Sequence, residues 1–210
     1  IIRRGECGGL IGDTKTASAI IKAVKKGAGE LSVSVKTRLA PTPEKTTEWI
    51  TFLLKQDIAA LTVHGRTVKQ MSKGDAKWEE IGRAVELKNR IAPNTLIIGN
   101  GDILSYAQAV KTHKEFGADG VMIGRGIFQN PWVFEKKLKP KVRTEEEYIE
   151  ILQNHLSLFD QTYGQTKHFD IMKKFFKMYI KDFAGANQLR QSLMETKNIS
   201  EVEDILSKTK

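Results

Sequence analysis

The sequence predicts an α/β fold organised around a parallel β-sheet, and three observations predict it. Short apolar runs of strand length recur as far as Gly124: "LSVSVKTRL" (Leu31 to Leu39), "IAALTV" (Ile58 to Val63), "TLIIG" (Thr95 to Gly99) and "GVMIG" (Gly120 to Gly124). Segments with helical spacing of their apolar residues lie between these runs. The regular alternation implies right-handed βαβ units, which set successive strands parallel in one sheet. A barrel and an open sheet both satisfy that pattern.

Each element has its own warrant. "LSVSVKTRL" alternates with period two, so Val33 and Val35 share one face while Lys36 takes the opposite one, near the strand's end. Thr42, Pro43 and Glu44 supply a cap, a proline at the first helical position and an acid in the first turn, ahead of Trp49, Ile50, Leu53 and Leu54. The next strand ends at His64, with Arg66 after a glycine, and Lys69 and Lys73 follow in a long loop. Asp75 is a cap for the helix that buries Trp78 and Ile81, and Ser105 for the helix ending near Gly117. After Pro140 only helices are predicted. Tyr148, Leu152, Leu156, Phe159 and Tyr163 form one face, and Phe169, Met172, Phe176, Tyr179 and Phe183 another. Ser200 and Glu203 have capping-box spacing for a last short helix. The expected organisation is an α/β domain over residues 1–140 and a small all-helical domain over 141–210.

The composition narrows the partners. Thirty-four Lys and Arg against 25 Asp and Glu give a formal charge of +9, which favours a polyanion such as nucleic acid. One cysteine, Cys7, excludes an internal disulfide and a thiol metal cluster, and suits a reducing cytosol. No metal site is expected, and no apolar run approaches the roughly 20 residues of a membrane-spanning helix. The chain opens on Ile1, and "IIRRGECGGL" reads like the interior of a longer protein.

Two strand ends are alike. "GNGD" (Gly99 to Asp102) and "GRG" (Gly124 to Gly126) both break an apolar run with glycines, where loops at the C-terminal ends of parallel strands gather to hold a ligand. Glycine lets backbone N–H groups approach an anion, Asn100 and Asp102 flank Gly101, and Arg125 adds a planar fork suited to phosphate. The plain alternative is a pair of tight βα turns, and their repetition on consecutive strands favours a phosphate cradle. Lys36 and His64 lie near the ends of the two preceding strands and would face the same mouth. In the helical part, Lys173, Lys177 and Lys181 form an i, i+4 row beside Lys174, either a solvated face or a phosphate-contacting one.

These segments together resemble the tRNA-dihydrouridine synthases. The residues carrying the likeness are "VKTRL", "LTVHGRTVKQMSKG", "WEEI", "IIGNGDI", "GADGVMIGRGIFQNPWVF" and "HFDIMKKFFKMYIKDFAGANQLR", which extend over nearly the whole chain. The resemblance implies the C-terminal half of a (β/α)8 TIM barrel followed by a helical tRNA-binding domain. It implies an oxidoreductase that reduces the C5=C6 bond of a tRNA uridine with hydride from FMN recharged by NADPH, in the cytoplasm. By the same resemblance Lys36 and His64 contact the flavin ring, and Asn100, Gly101, Asp102, Gly124 and Arg125 bind its phosphate. Arg66, Lys69, Lys173, Lys174, Lys177 and Arg190 are the candidate tRNA contacts.

Hydride delivery to one uracil carbon requires a proton at the other, so the site needs a general acid. The family supplies it from a cysteine in an Asn-x-x-Cys-Pro type loop. Cys7 is followed by Gly8 and Gly9, so it is read as structural and the catalytic cysteine is expected upstream of Ile1. On this reading the chain alone is not a competent reductase, and half a barrel leaves two strand edges unpaired. The alternatives are another FMN- or phosphate-binding barrel, or a noncatalytic RNA-binding remnant.

Overall fold

The computed structural model describes residues 4–136 and 141–208. The chain divides into two compact units, Ile1–Ile127 and Phe128–Lys210. The flank of Ile1, where the cysteine loop is expected, and the domain boundary expected after Pro140 lie outside the described residues.

The first unit contains a four-stranded parallel sheet in the order β1 (Ser34–Leu39), β2 (Ala60–Thr67), β3 (Leu96–Asn100) and β4 (Gly120–Met122). Helices α1 (Thr14–Ala28), α2 (Pro43–Leu54), α3 (Trp78–Ile91) and α4 (Tyr106–Phe116) alternate with the strands, and a short turn of helix, α5, spans Gly126–Gln129. Strict sequence order is the wiring of an arc of a (β/α) barrel, whereas a doubly wound sheet reverses its order partway.

Pleating divides the side chains between two faces. Thr37, Leu39, Leu61, Val63 and Ile97 are buried on the helix-covered face. Trp49 of α2 donates its indole N–H to the Thr37 hydroxyl (2.9 Å), so even the polar group on this face is satisfied. Thr42 accepts from the Lys45 amide with Pro43 in the first turn, as its sequence predicts. Ser105 accepts from the Gln108 amide, and Gly117 closes α4 in the left-handed region. Asp75 is not the cap of α3. That position falls to Lys77, whose side chain makes no capping bond, because the helix starts only at Trp78.

The opposite face carries Lys36, Arg38, Thr62, His64, Ile98, Asn100 and Met122, in register across the strands. Along the outer side of β1 an apolar cleft of about 810 Å³ separates the strand from α1, lined by Ile20, Val24, Val35, Leu53, Val68 and Met71 among others. Ile20 and Val24 are half exposed there.

The second unit contains α6 (Glu145–Tyr163), α7 (Asp170–Tyr179), α8 (Ala186–Glu195) and α9 (Ile199–Ser207). Leu152, Leu156, Met172, Phe176 and Leu193 are almost fully buried in it. Thr144 and Glu147 form the capping box of α6. The last helix is capped by Asn198, which accepts from the Glu201 amide, and not by Ser200. The lysine row is shorter than expected, since α7 ends at Tyr179 and Lys181 instead donates to the Gln129 carbonyl.

Candidate functional site

The open face of the sheet gathers the polar groups. Lys36 is not at a strand end; it is the third of six residues in β1, because the ladder continues through the polar residues to Leu39. Its ammonium donates to Asn100 Oδ1 across two strands (2.9 Å), and Asn100 Nδ2 donates to the Met122 carbonyl (2.8 Å). One side chain thus ties β1, β3 and β4 together, while Lys36 keeps donors for a further acceptor. Its pKa is lowered by burial and then by Arg38.

Arg38 belongs to the same face and was not picked out from the sequence, although period-two alternation puts it on the side of Lys36. It donates to the carbonyls of Thr67 (3.1 Å) and Met71 (2.7 Å), fixing the start of the loop after β2. His64 lies in register between Arg38 and Asn100.

Arg66 is 3% exposed, not a solvent-facing guide for RNA. Its Nε donates to the Gly74 carbonyl (3.0 Å) and its Nη2 to both Asp102 oxygens (2.7 and 2.6 Å). Asp102 also accepts from the Ala76 amide (2.8 Å). Burial raises the pKa of this carboxyl, but the Arg66 and Ala76 hydrogen bonds outweigh it and hold it below the usual range. Asp102 is therefore anionic with its oxygens engaged inside the protein. It shapes the turn between β3 and α4, where a phosphate oxygen would meet like charge.

The glycines of the two turns have different tasks. A Cβ on Gly99 would fall 2.3 Å from the Trp78 ring, so this position is bare to admit Trp78. Gly101 has φ of 136° and would strike Ala76. Gly126 lies against the Ile103 carbonyl. Gly124 alone of the four has no atom within 4 Å of the added Cβ, which leaves its backbone open to a ligand. Arg125 beside it is exposed.

Burial first, and then the positive charge of this face, sets the protonation of His64. Burial, then Arg38, Lys36 and Arg66, push its pKa from 6.5 down to about 4 against the opposing pull of Asp102. Between those values the unfolded chain binds more protons than the folded one, so this group's contribution to stability falls as pH drops from 6.5 towards 4. The His64 ring resonances are expected to stay flat from pH 8 to 5 in NMR titration, and H64Q is expected to lose less stability than the wild type between pH 7 and 5. An inflection near pH 6.5 would contradict this.

The other candidates belong to the loop after β2 and to the second unit. Lys69 is exposed in the loop after β2. In the second unit Lys174 and Lys177 are exposed, whereas Lys173 pairs with Asp170 (2.9 Å). Arg190 is not a free contact: it donates to the Ile180 carbonyl (2.6 Å) and to Asn187, joining the end of α7 to α8. Lys177 and Arg190 line a depression of about 410 Å³. Cys7 is exposed and borders the cleft along β1, with no place in the core. Among the described residues no group of three or more His, Cys, Asp or Glu is arranged to hold a metal, and no helix is long and apolar enough to cross a membrane.

Comparison with known proteins supplies an independent reading. The family model for dihydrouridine synthase matches residues 1–210. A Staphylococcus epidermidis protein named as a probable tRNA-dihydrouridine synthase is 42% identical over 208 residues, covering 98% of this chain and 63% of its own length. A Bacillus subtilis protein named as probable tRNA-dihydrouridine synthase 2 is 43% identical over 204 residues, covering 96% of this chain and 62% of its own. A Staphylococcus aureus protein named like the first is 42% identical over 208 residues, with 98% and 62% covered. The chain thus spans somewhat less than two thirds of the length of these relatives.

Proposed function

The chain belongs to the dihydrouridine synthase family, and we propose that it forms the second half of a flavin-binding barrel, with a helical tRNA-binding part, in an enzyme that reduces a tRNA uridine to 5,6-dihydrouridine. The single observation that carries the reading at the site is the strip Lys36–Asn100–His64 on the open face of a parallel sheet, with the unobstructed Gly124 and exposed Arg125 at the end of the adjoining strand.

These residues suit FMN. Lys36 and the neutral His64 would meet the electron-rich pyrimidine edge of the flavin ring. Gly124 and Arg125 would take the phosphate, the first by backbone approach and the second by its planar fork. Asn100, Gly101 and Asp102 shape the turn after β3 beside them. FMN bound there supplies hydride to the C5=C6 bond of the uracil, and NADPH is the reductant that renews it. The sheet face positions the ring and keeps the positive charge fixed. The uridine would be drawn out of the RNA stack to reach it. We assign the proton donor to a cysteine outside this chain and the site of action to the cytoplasm.

The first test is FMN binding followed by fluorescence quenching. The second is incubation of an unmodified tRNA transcript with FMN, NADPH and a chimera in which the N-terminal part of the Bacillus subtilis relative precedes this chain. Quenching and dihydrouridine formation are expected of the chimera, and no dihydrouridine from the 210-residue chain alone. A folded chimera with neither flavin binding nor product would overturn the proposal.

Lys174 and Lys177 are the candidate phosphate contacts of the second unit, with Lys173 weakened by its acidic partner. Neutralising all three is expected to lower the slope of log affinity against log salt by about 2, since each phosphate contact releases roughly 0.7 to 0.9 of a counterion. An unchanged slope in filter binding would return these lysines to a solvated face.

A further inference from the structure

We infer that Arg66 is a positioning residue that fixes His64 as its Nδ1–H tautomer, so that the open sheet face presents a neutral N–H donor. Arg66 Nη1 lies 3.4 Å from His64 Nε2. A guanidinium has five N–H groups, no acceptor and no accessible deprotonated state, so the nitrogen facing it must offer a lone pair. A neutral imidazole with its lone pair on Nε2 carries its hydrogen on Nδ1.

The surroundings hold that orientation. The Cδ2–Nε2 edge of the ring faces Gly101, since a Cβ there would sit 3.4 Å from Cδ2 and 3.6 Å from Nε2. The Nδ1 edge is turned the other way, and among the described residues Nδ1 makes no hydrogen bond. Arg66 cannot swing aside, because Gly74 and Asp102 hold its Nε and Nη2 and it is buried. The positive groups Lys36 and Arg38 on the neighbouring strand further disfavour the doubly protonated ring.

The consequence is a specificity rule. Whatever part of a ligand meets Nδ1 must be an acceptor, such as a carbonyl oxygen or an unprotonated ring nitrogen. That the ligand is a flavin rests on the proposed function; the tautomer does not.

The test uses the ligand-free 210-residue chain labelled with 15N-histidine, in which long-range proton–nitrogen correlation distinguishes a protonated from a bare ring nitrogen. H64Q identifies the His64 signals among the four histidines. The expected wild-type pattern at pH 7 is a protonated Nδ1 and a bare Nε2. An Nε2–H ring, or a doubly protonated one, would overturn the inference. In R66M the Nε2–H form is expected to appear. R66K keeps the buried charge beside Asp102 and so protects the fold, but a single ammonium nitrogen lacks the fork by which Nε, Nη1 and Nη2 reach separate partners, and the same change is expected. An undiminished Nδ1–H signature in either folded variant would remove Arg66 from the role. Since no flavin is present, failure here is separate from failure of flavin binding.

Discussion

Alanine at both Lys36 and Arg125 is expected to weaken FMN binding by about two to four powers of ten. Each side chain would supply a hydrogen bond from a charged group to the cofactor, worth about 1.5 to 3 kcal/mol apiece, and each 1.4 kcal/mol is tenfold in affinity. Neither side chain belongs to the buried core, so their loss should leave the fold intact. The single variants divide the effect: K36A would remove the proposed contact with the ring and also leaves Asn100 Oδ1 without its Lys36 donor, while R125A would remove the proposed phosphate fork. Fluorescence titration of FMN reads all three. A double variant within about threefold of the wild type would dismiss this face as the flavin site, at a scale far below one charged hydrogen bond.

G99A is expected to cost about 3 kcal/mol of stability, the upper part of the range for overpacking a tight core. The added methyl would meet the Trp78 ring at 2.3 and 2.5 Å and Ile81 at 3.3 Å. Trp78 is only 8% exposed, and its indole N–H donates to the Gly101 carbonyl (3.0 Å), so it cannot turn away without losing that bond. The backbone at Gly99 is ordinary strand, which makes the effect steric. Denaturant unfolding should show a lowered midpoint, and adding W78L should recover part of the loss through the shared contact. A midpoint equal to the wild type for G99A would contradict the packing described here.

The contrast between Gly99 and Gly124 shows where sequence reading stops. Both glycines follow an apolar run and in sequence look like openings for an anion, yet one accommodates a tryptophan and the other faces open space. That difference depends on a helix more than twenty residues away in sequence, which a local pattern does not contain. The same holds for Asp102, whose partners Arg66 and Ala76 come from the β2 strand and the loop after it. By contrast, the four strands, the Thr42 and Ser105 caps and the apolar face of α6 are local matters, and they could be read directly. Ends were harder. Asn198 and Ser200 each precede a glutamate by three residues, and only the start of α9 at Ile199 selects the first. The apolar run stops beside Lys36 and so suggests a strand end there, while the backbone ladder continues through Arg38.

The strictly sequential strand order also bears on how the sheet comes into being. Ser34 pairs with Ala60, Ala60 with Leu96 and Ile98 with Gly120, so every pairing joins a strand to the next one in the chain and closes only a modest loop. Loop-closure entropy is then met in small instalments, a regime that favours fast assembly by adding one βα unit to the last. Speed at that stage has a counterpart. The arc exposes the hydrogen-bonding edge of β1 and the apolar cleft beside it, and an unpaired edge of this kind is where self-association competes with folding.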